Sequence, residues 1–221
     1  MRFLTKIFSN PVYARVAPYV IFVALTCCQG KLGPASAYWF YFAKTLVGAW
    51  LIFEMRPHVP EMRWAVSWEA IAIGILIFAL WVGLDGHYPK FIKAGSTGNP
   101  ATVFGVNSPL AWFFNIVHIL GMTLVVPPLE EAFFRSFVYR YIVSPNFLAV
   151  PLNRFLPLPF FITAAIFGLG HPEWLPGILC GMAYQWLVIH KNRLGDAMLA
   201  HAITNLLLGL YIVWRGQWQF W

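Results

Sequence analysis

Long apolar runs alternate with short polar breaks along the whole chain. Seven apolar segments stand out, at 16–29, 37–53, 67–84, 110–142, 158–169, 174–190 and 197–214. None shows the strict alternation of a half-buried strand, and a backbone in lipid must satisfy its own hydrogen bonds, so the pattern predicts helices. The fourth segment is too long for a simple span. At 1.5 Å per residue it would reach about 50 Å, against a hydrocarbon core of about 30 Å. It contains Pro127-Pro128, which predict a kink or break that frees the carbonyls of Thr123 and Leu124. A helix broken at membrane depth is tolerated where it lines a cavity. The longest polar stretch, 85–108, reads as a loop or lid, and the aromatic stretch 214–221 reads as an interfacial segment.

Composition sharpens this picture. The chain has 221 residues, of which 60% are hydrophobic and 10% charged; an ordinary soluble domain is about 45–50% apolar and about 25% charged. Too little polar surface exists to face water, which argues against a soluble globular domain, a disordered chain, a collagen-like repeat or a disulfide scaffold. The expectation is an all-α polytopic membrane protein of about seven to eight transmembrane helices, forming a single integral membrane domain over 1–221.

The net charge of +7 comes from scattered basic residues, with no basic block carrying interleaved aromatics, so no nucleic-acid partner is implied. With the N-terminus in the cytoplasm, inside loops and span ends hold Arg2, Lys6, Arg15, Arg56, Arg63, Arg140, Arg154, Lys191 and Arg193. Outside loops hold only Lys31, Lys90, Lys93 and Arg215, while Lys44 and Arg135 fall within spans. This bias favours the N-terminus inside and the C-terminus outside for seven spans, as in a prokaryotic inner-membrane protein. Cys27, Cys28 and Cys180 lack ligand spacing and read as buried thiols used as small hydrophobes.

Ionisable groups inside spans are costly and mark function by default. Glu54, Glu61, Asp85 and Asp196 are expected in loops, Glu69 at a span entrance and Glu173 in a turn with Pro172. Glu130 and Glu131 differ, being adjacent and flanked by Val125, Val126, Leu129, Ala132, Phe133 and Phe134. Neighbours on a helix point about 100° apart. Glu131 and Arg135 are one turn apart and can pair, which leaves Glu130 to face a cavity as a general base acting on water. An ion pair that merely locks two helices accounts for Glu131 and Arg135 but not for Glu130. His58, His87 and His190 fall at loops or span ends, and His118 reads as a satisfied core histidine. His171 ends the short fifth segment after Gly168 and Gly170. His201 and Asn205 share one face of the last segment.

Three patterns occur in order: Glu130-Glu131-Ala132-Phe133-Phe134-Arg135 as EExxxR, Phe167 to His171 as FxxxH, and His201 to Asn205 as HxxxN. Together they resemble the type II CAAX prenyl endopeptidases, also called CPBP proteins or glutamate intramembrane proteases. The resemblance covers roughly 110–215, and the length is similar to that of the small prokaryotic branch associated with exosortase. It implies an all-helical fold around an intramembrane catalytic cavity. Glu130 and His171 would activate water, His201 and Asn205 would stabilise the oxyanion, and Glu131 and Arg135 would support them. The implied substrate is a membrane-associated peptide or lipidated protein in the bilayer, with no cofactor and no metal. On residue types alone, Glu130, His171 and His201 also suit a metal. The family's immunity and sorting proteins make a non-catalytic membrane role the remaining reading.

Overall fold

The computed structural model describes residues 7–91 and 98–221. Lys93 and the Gly95–Thr97 part of the expected loop, like Arg2 and Lys6, lie outside the described residues. Every regular element among the described residues is helical. Each of the seven predicted segments overlaps one helix: α1 Pro11–Thr26, α2 Pro34–Met55, α3 Trp68–Gly83, α4 Pro109–Val143, α5 Pro157–Leu169, α6 Trp174–Lys191 and α7 Leu194–Arg215. Two are long and apolar enough to cross a membrane, α4 with 35 residues and α7 with 22; α1, α3 and α5 are apolar but shorter.

Local chemistry sets the helix starts. Pro11, Pro34, Pro109 and Pro157 sit in the first turn, where the missing N–H costs nothing. The side chains of Asn10, Ser67 and Ser108 accept from backbone N–H groups at the starts of α1, α3 and α4, each cap contributing about 1 kcal/mol.

Of the kink or break expected at Pro127-Pro128, the break does not occur. α4 runs through the prolines as a continuous helix, with π-helical turns at Gly121–Val125 and Ala132–Val138 on either side of an α-helical stretch at Val126–Glu131. The Val126 N–H bonds the Gly121 carbonyl, five residues back. A widened turn absorbs the missing proline donors without ending the helix.

Three further expectations are corrected. Cys27 and Cys28 are exposed at the end of α1, and only Cys180 is buried. Glu54 lies within α2. Asp196 is fully buried in the first turn of α7, where it accepts from Ser67 Oγ at 2.6 Å and pairs with Arg193 at 2.9 Å. The carboxylate is there because a helix N-terminus stabilises negative charge.

The described residues form two compact units, each assembled from several pieces of chain. The first comprises 7–58, 98–129 and Asn205–Trp221. In it, Lys44 is buried with its ammonium 3.0 Å from Thr26 Oγ1 and over the Phe22 and Tyr41 rings. His118 lies between the Tyr41 and Trp221 rings, 3.8 and 3.9 Å from their centroids.

The second unit comprises 59–91 and Glu130–Thr204. Its centre is the antiparallel α5–α6 hairpin. A Cβ on Gly177 would come within 2.9 Å of Gly168 Cα, and one on Gly181 within 2.9 Å of Ala164 Cα, so these small residues let the two backbones touch. Gly74 plays the same part for α3 against α7, where a Cβ would meet the Ala200 carbonyl at 2.7 Å. Thr204 bridges the same helices by donating to the Gly74 carbonyl at 2.8 Å.

Candidate active site

Glu130 and Glu131 end the α-helical stretch of α4, and Arg135 sits in the π turn that follows. Glu131 Oε2 and Arg135 Nε are 3.1 Å apart, and both side chains are completely buried. Arg135 also reaches the Gly181 carbonyl at 3.5 Å and lies 4.3 Å from the centre of the Phe167 ring. Burial of a full charge is tolerable here because the opposite charge, a carbonyl and an aromatic face all meet it.

The other carboxylate oxygen of Glu131 is 2.9 Å from His201 Nδ1. A carboxylate only accepts, so Nδ1 carries the proton and Nε2 is turned the other way. His201 Nε2 lies 4.0 Å from Glu130 Oε2. His201 therefore stands between the two glutamates. Its ring stacks on Tyr184 at 5.2 Å, and the Tyr184 hydroxyl is 2.7 Å from Thr204 Oγ1.

Glu130 is the odd member. Its side chain keeps 15% exposure, and its Oε2 is buried without a hydrogen-bond partner among the described residues. One carboxylate is neutralised and fully buried, whereas its neighbour is nearly buried and uncommitted.

His171 lies just past the end of α5, where Gly170 closes the helix. Its Nδ1 donates to the Phe167 carbonyl at 2.8 Å, leaving Nε2 as the basic ring nitrogen. The Trp81 ring meets His171 edge-on at 5.8 Å. Phe167 links the set: its ring is 4.9 Å from His171, 6.2 Å from His201 and 5.1 Å from Phe134. Both histidines and Arg135 thus surround one buried aromatic ring.

Asn205 follows His201 by one helical turn but lies in the first unit, where its Nδ2 donates to the Met122 carbonyl at 2.7 Å. Sequence reasoning missed Tyr184, Trp81 and the packing role of Phe167, because an aromatic residue in an apolar helix carries no local signal of what it touches. Among the described residues, no three His, Cys, Asp or Glu side chains are grouped as metal ligands.

Fold and site define a helical membrane protein with a buried Glu–Arg–His constellation. Residues 111–207 match the family model described as type II CAAX prenyl endopeptidase Rce1-like. That match covers just under half of the chain, and all three motifs lie within it. The chain is also 31% identical over 94 residues to the UPF0177 protein YajF of Lactococcus lactis subsp. lactis (strain IL1403), covering 41% of this chain and 45% of that protein. It thus spans just under half the length of this curated relative. No solved structure matches the chain.

Proposed function

We propose that the protein is an intramembrane endopeptidase that hydrolyses a peptide bond near the C-terminus of a prenylated or other membrane-associated substrate. The observation that carries this reading is the contrast between the two glutamates. Glu131 lies 3.1 Å from Arg135 and 2.9 Å from His201 and is completely buried, whereas Glu130 keeps 15% exposure and lies 4.0 Å from His201 Nε2.

In this reading Glu130 and His171 accept a proton from a water molecule, and the water oxygen attacks the scissile carbonyl carbon. The carbonyl electron pair moves onto oxygen. The resulting oxyanion is met by His201, whose protonated ring offers Nε2–H while Nδ1–H stays on Glu131. Asn205, one turn further along α7, supplies the second donor: one amide proton serves Met122 and the other remains. Collapse of the intermediate breaks the C–N bond, and the proton held by Glu130 or His171 passes to the leaving amine. Glu131, held by Arg135, accepts from Nδ1–H and so fixes the orientation of the His201 ring. The substrate is reached from the bilayer, with the N-terminus cytoplasmic in a prokaryotic inner membrane.

The test uses the purified protein with a quenched prenyl-peptide and with a membrane-peptide library. Wild type is expected to cleave and Glu130→Ala to be inactive. Equal cleavage by the two sinks the assignment.

A further inference from the structure

His171 is not held by a regular helix. It lies in the turn between α5 and α6, and Glu173, which opens α6, makes no capping bond with its side chain. That carboxylate reaches instead to Lys90, 3.3 Å away and 83 residues earlier in the chain. Lys90 is also 2.6 Å from Asp85. The next residue, Trp174, is gripped by the same stretch. Its Nε1 donates to the Pro89 carbonyl at 2.7 Å, Phe91 stacks on its ring at 5.3 Å, and Tyr88 meets it edge-on at 5.7 Å. With Trp81 against His171 itself, residues 81–91 touch the histidine and the part of the turn that follows it.

We propose that Lys90 is a positioning residue for His171, acting through Glu173 to fix the turn that aims the imidazole. The proposal rests on the reading that His171 takes part in catalysis.

The physical reason lies in unequal burial. Lys90 is 28% exposed, but the Glu173 side chain is only 7% exposed. An exposed ion pair is worth little. A carboxylate left buried without its cation is strongly unfavourable, and Glu173 can regain water only by shifting the turn. His171 lies two residues away and must follow. Its Nδ1 bond to the Phe167 carbonyl resists that movement only from the α5 side.

The experiment is a double-mutant cycle with the full chain and the quenched prenyl-peptide. Lys90→Met is expected to lower kcat about tenfold or more with KM nearly unchanged, because a displacement of about 1 Å can cost about 10²-fold. Lys90→Arg keeps the cation and should restore most of the rate. In a His171→Ala background the added Lys90→Met change should have no further effect, since its route to the chemistry is gone. A second readout is independent of turnover. Carbethoxylation at His171, followed by peptide mass mapping, should quicken several-fold in Lys90→Met and stay unchanged at His190. Equal loss in both backgrounds, or an unchanged modification rate at His171, overturns the positioning role while leaving the protease reading intact. Full activity of His171→Ala overturns the catalytic role of His171 and the positioning role of Lys90 with it.

Discussion

Asn205 Nδ2 donates to the Met122 carbonyl at 2.7 Å, and that carbonyl is one the helix itself cannot use. In the π turn the Val126 N–H is taken by Gly121. The next donor along would be residue 127, a proline with no N–H. The double proline therefore leaves a carbonyl in α4 unpaired, and a side chain of α7 meets it. This gives Asn205 a structural duty beside its proposed duty at the oxyanion.

The two duties can be separated. Asn205→Ala should lower stability by about 1–3 kcal/mol, the cost of a buried carbonyl without a partner, and should reduce kcat by about 10²–10³-fold if an oxyanion donor is lost. Pro127→Ala returns a backbone N–H to α4. In that background the stability penalty of Asn205→Ala should shrink, while the rate penalty persists. Thermal unfolding in detergent and cleavage of the quenched peptide measure the two. Recovery of rate together with stability would reduce Asn205 to a structural residue.

The ion pair below His201 makes a different prediction. Glu131 and Arg135 are both completely buried, so Arg135→Met strands a carboxylate and should cost about 3–5 kcal/mol of stability. Replacing both partners, Glu131→Leu with Arg135→Met, should recover much of that loss, because neither charge then remains to be desolvated. It should not recover activity, since His201 Nδ1 loses its acceptor. Chemical unfolding of the three variants beside a cleavage assay provides the check. A double variant as unstable as Arg135→Met would contradict the argument.

Lys90 predicts a pH dependence. Burial disfavours its charge, but the hydrogen bond to Asp85 and the charge of Glu173 outweigh that and hold its pKa above the ordinary value of 10.5. Tyr88 faces the same cluster. A raised pKa in the folded state contributes stability that is fully present below the unfolded value and is lost as pH rises through the folded one. The difference in melting temperature between wild type and Lys90→Met should therefore be constant from neutral pH to about 10 and should close above it. A difference that widens in alkali would have the wrong sign.

The exposed pair Cys27-Cys28 tests the proposed orientation. Both thiols are exposed at the end of α1, whereas Cys180 is buried. With the N-terminus cytoplasmic, the end of α1 faces outward. A membrane-impermeant maleimide added to intact cells should label Cys27 and Cys28 and spare Cys180. Labelling only after lysis would reverse the orientation.

Much of the fold was legible because helical periodicity and apolar length are local properties. All seven apolar segments became helices, and the spacing of Glu131 and Arg135 by one turn fixed their pairing before any packing was known. The acidic pair stood out because carboxylates are rare among apolar residues. What adjacency left open was the division of labour. It predicted that one glutamate is paired and one is free, but not that Glu131 also binds His201 from a helix 70 residues away.

By itself, then, the sequence determined the helical segments, the apolar environment and the order of the three motifs along the chain. Only the tertiary structure decided that α4 crosses its two prolines through π turns and that Asn205 meets the carbonyl they leave. It alone decided that Cys27 and Cys28 are exposed while Asp196 is buried, and that Lys90 reaches Glu173. The division follows from range. Turn-to-turn chemistry is written within four or five residues, whereas a buried polar group is satisfied by whatever distant partner the packing brings within about 3 Å.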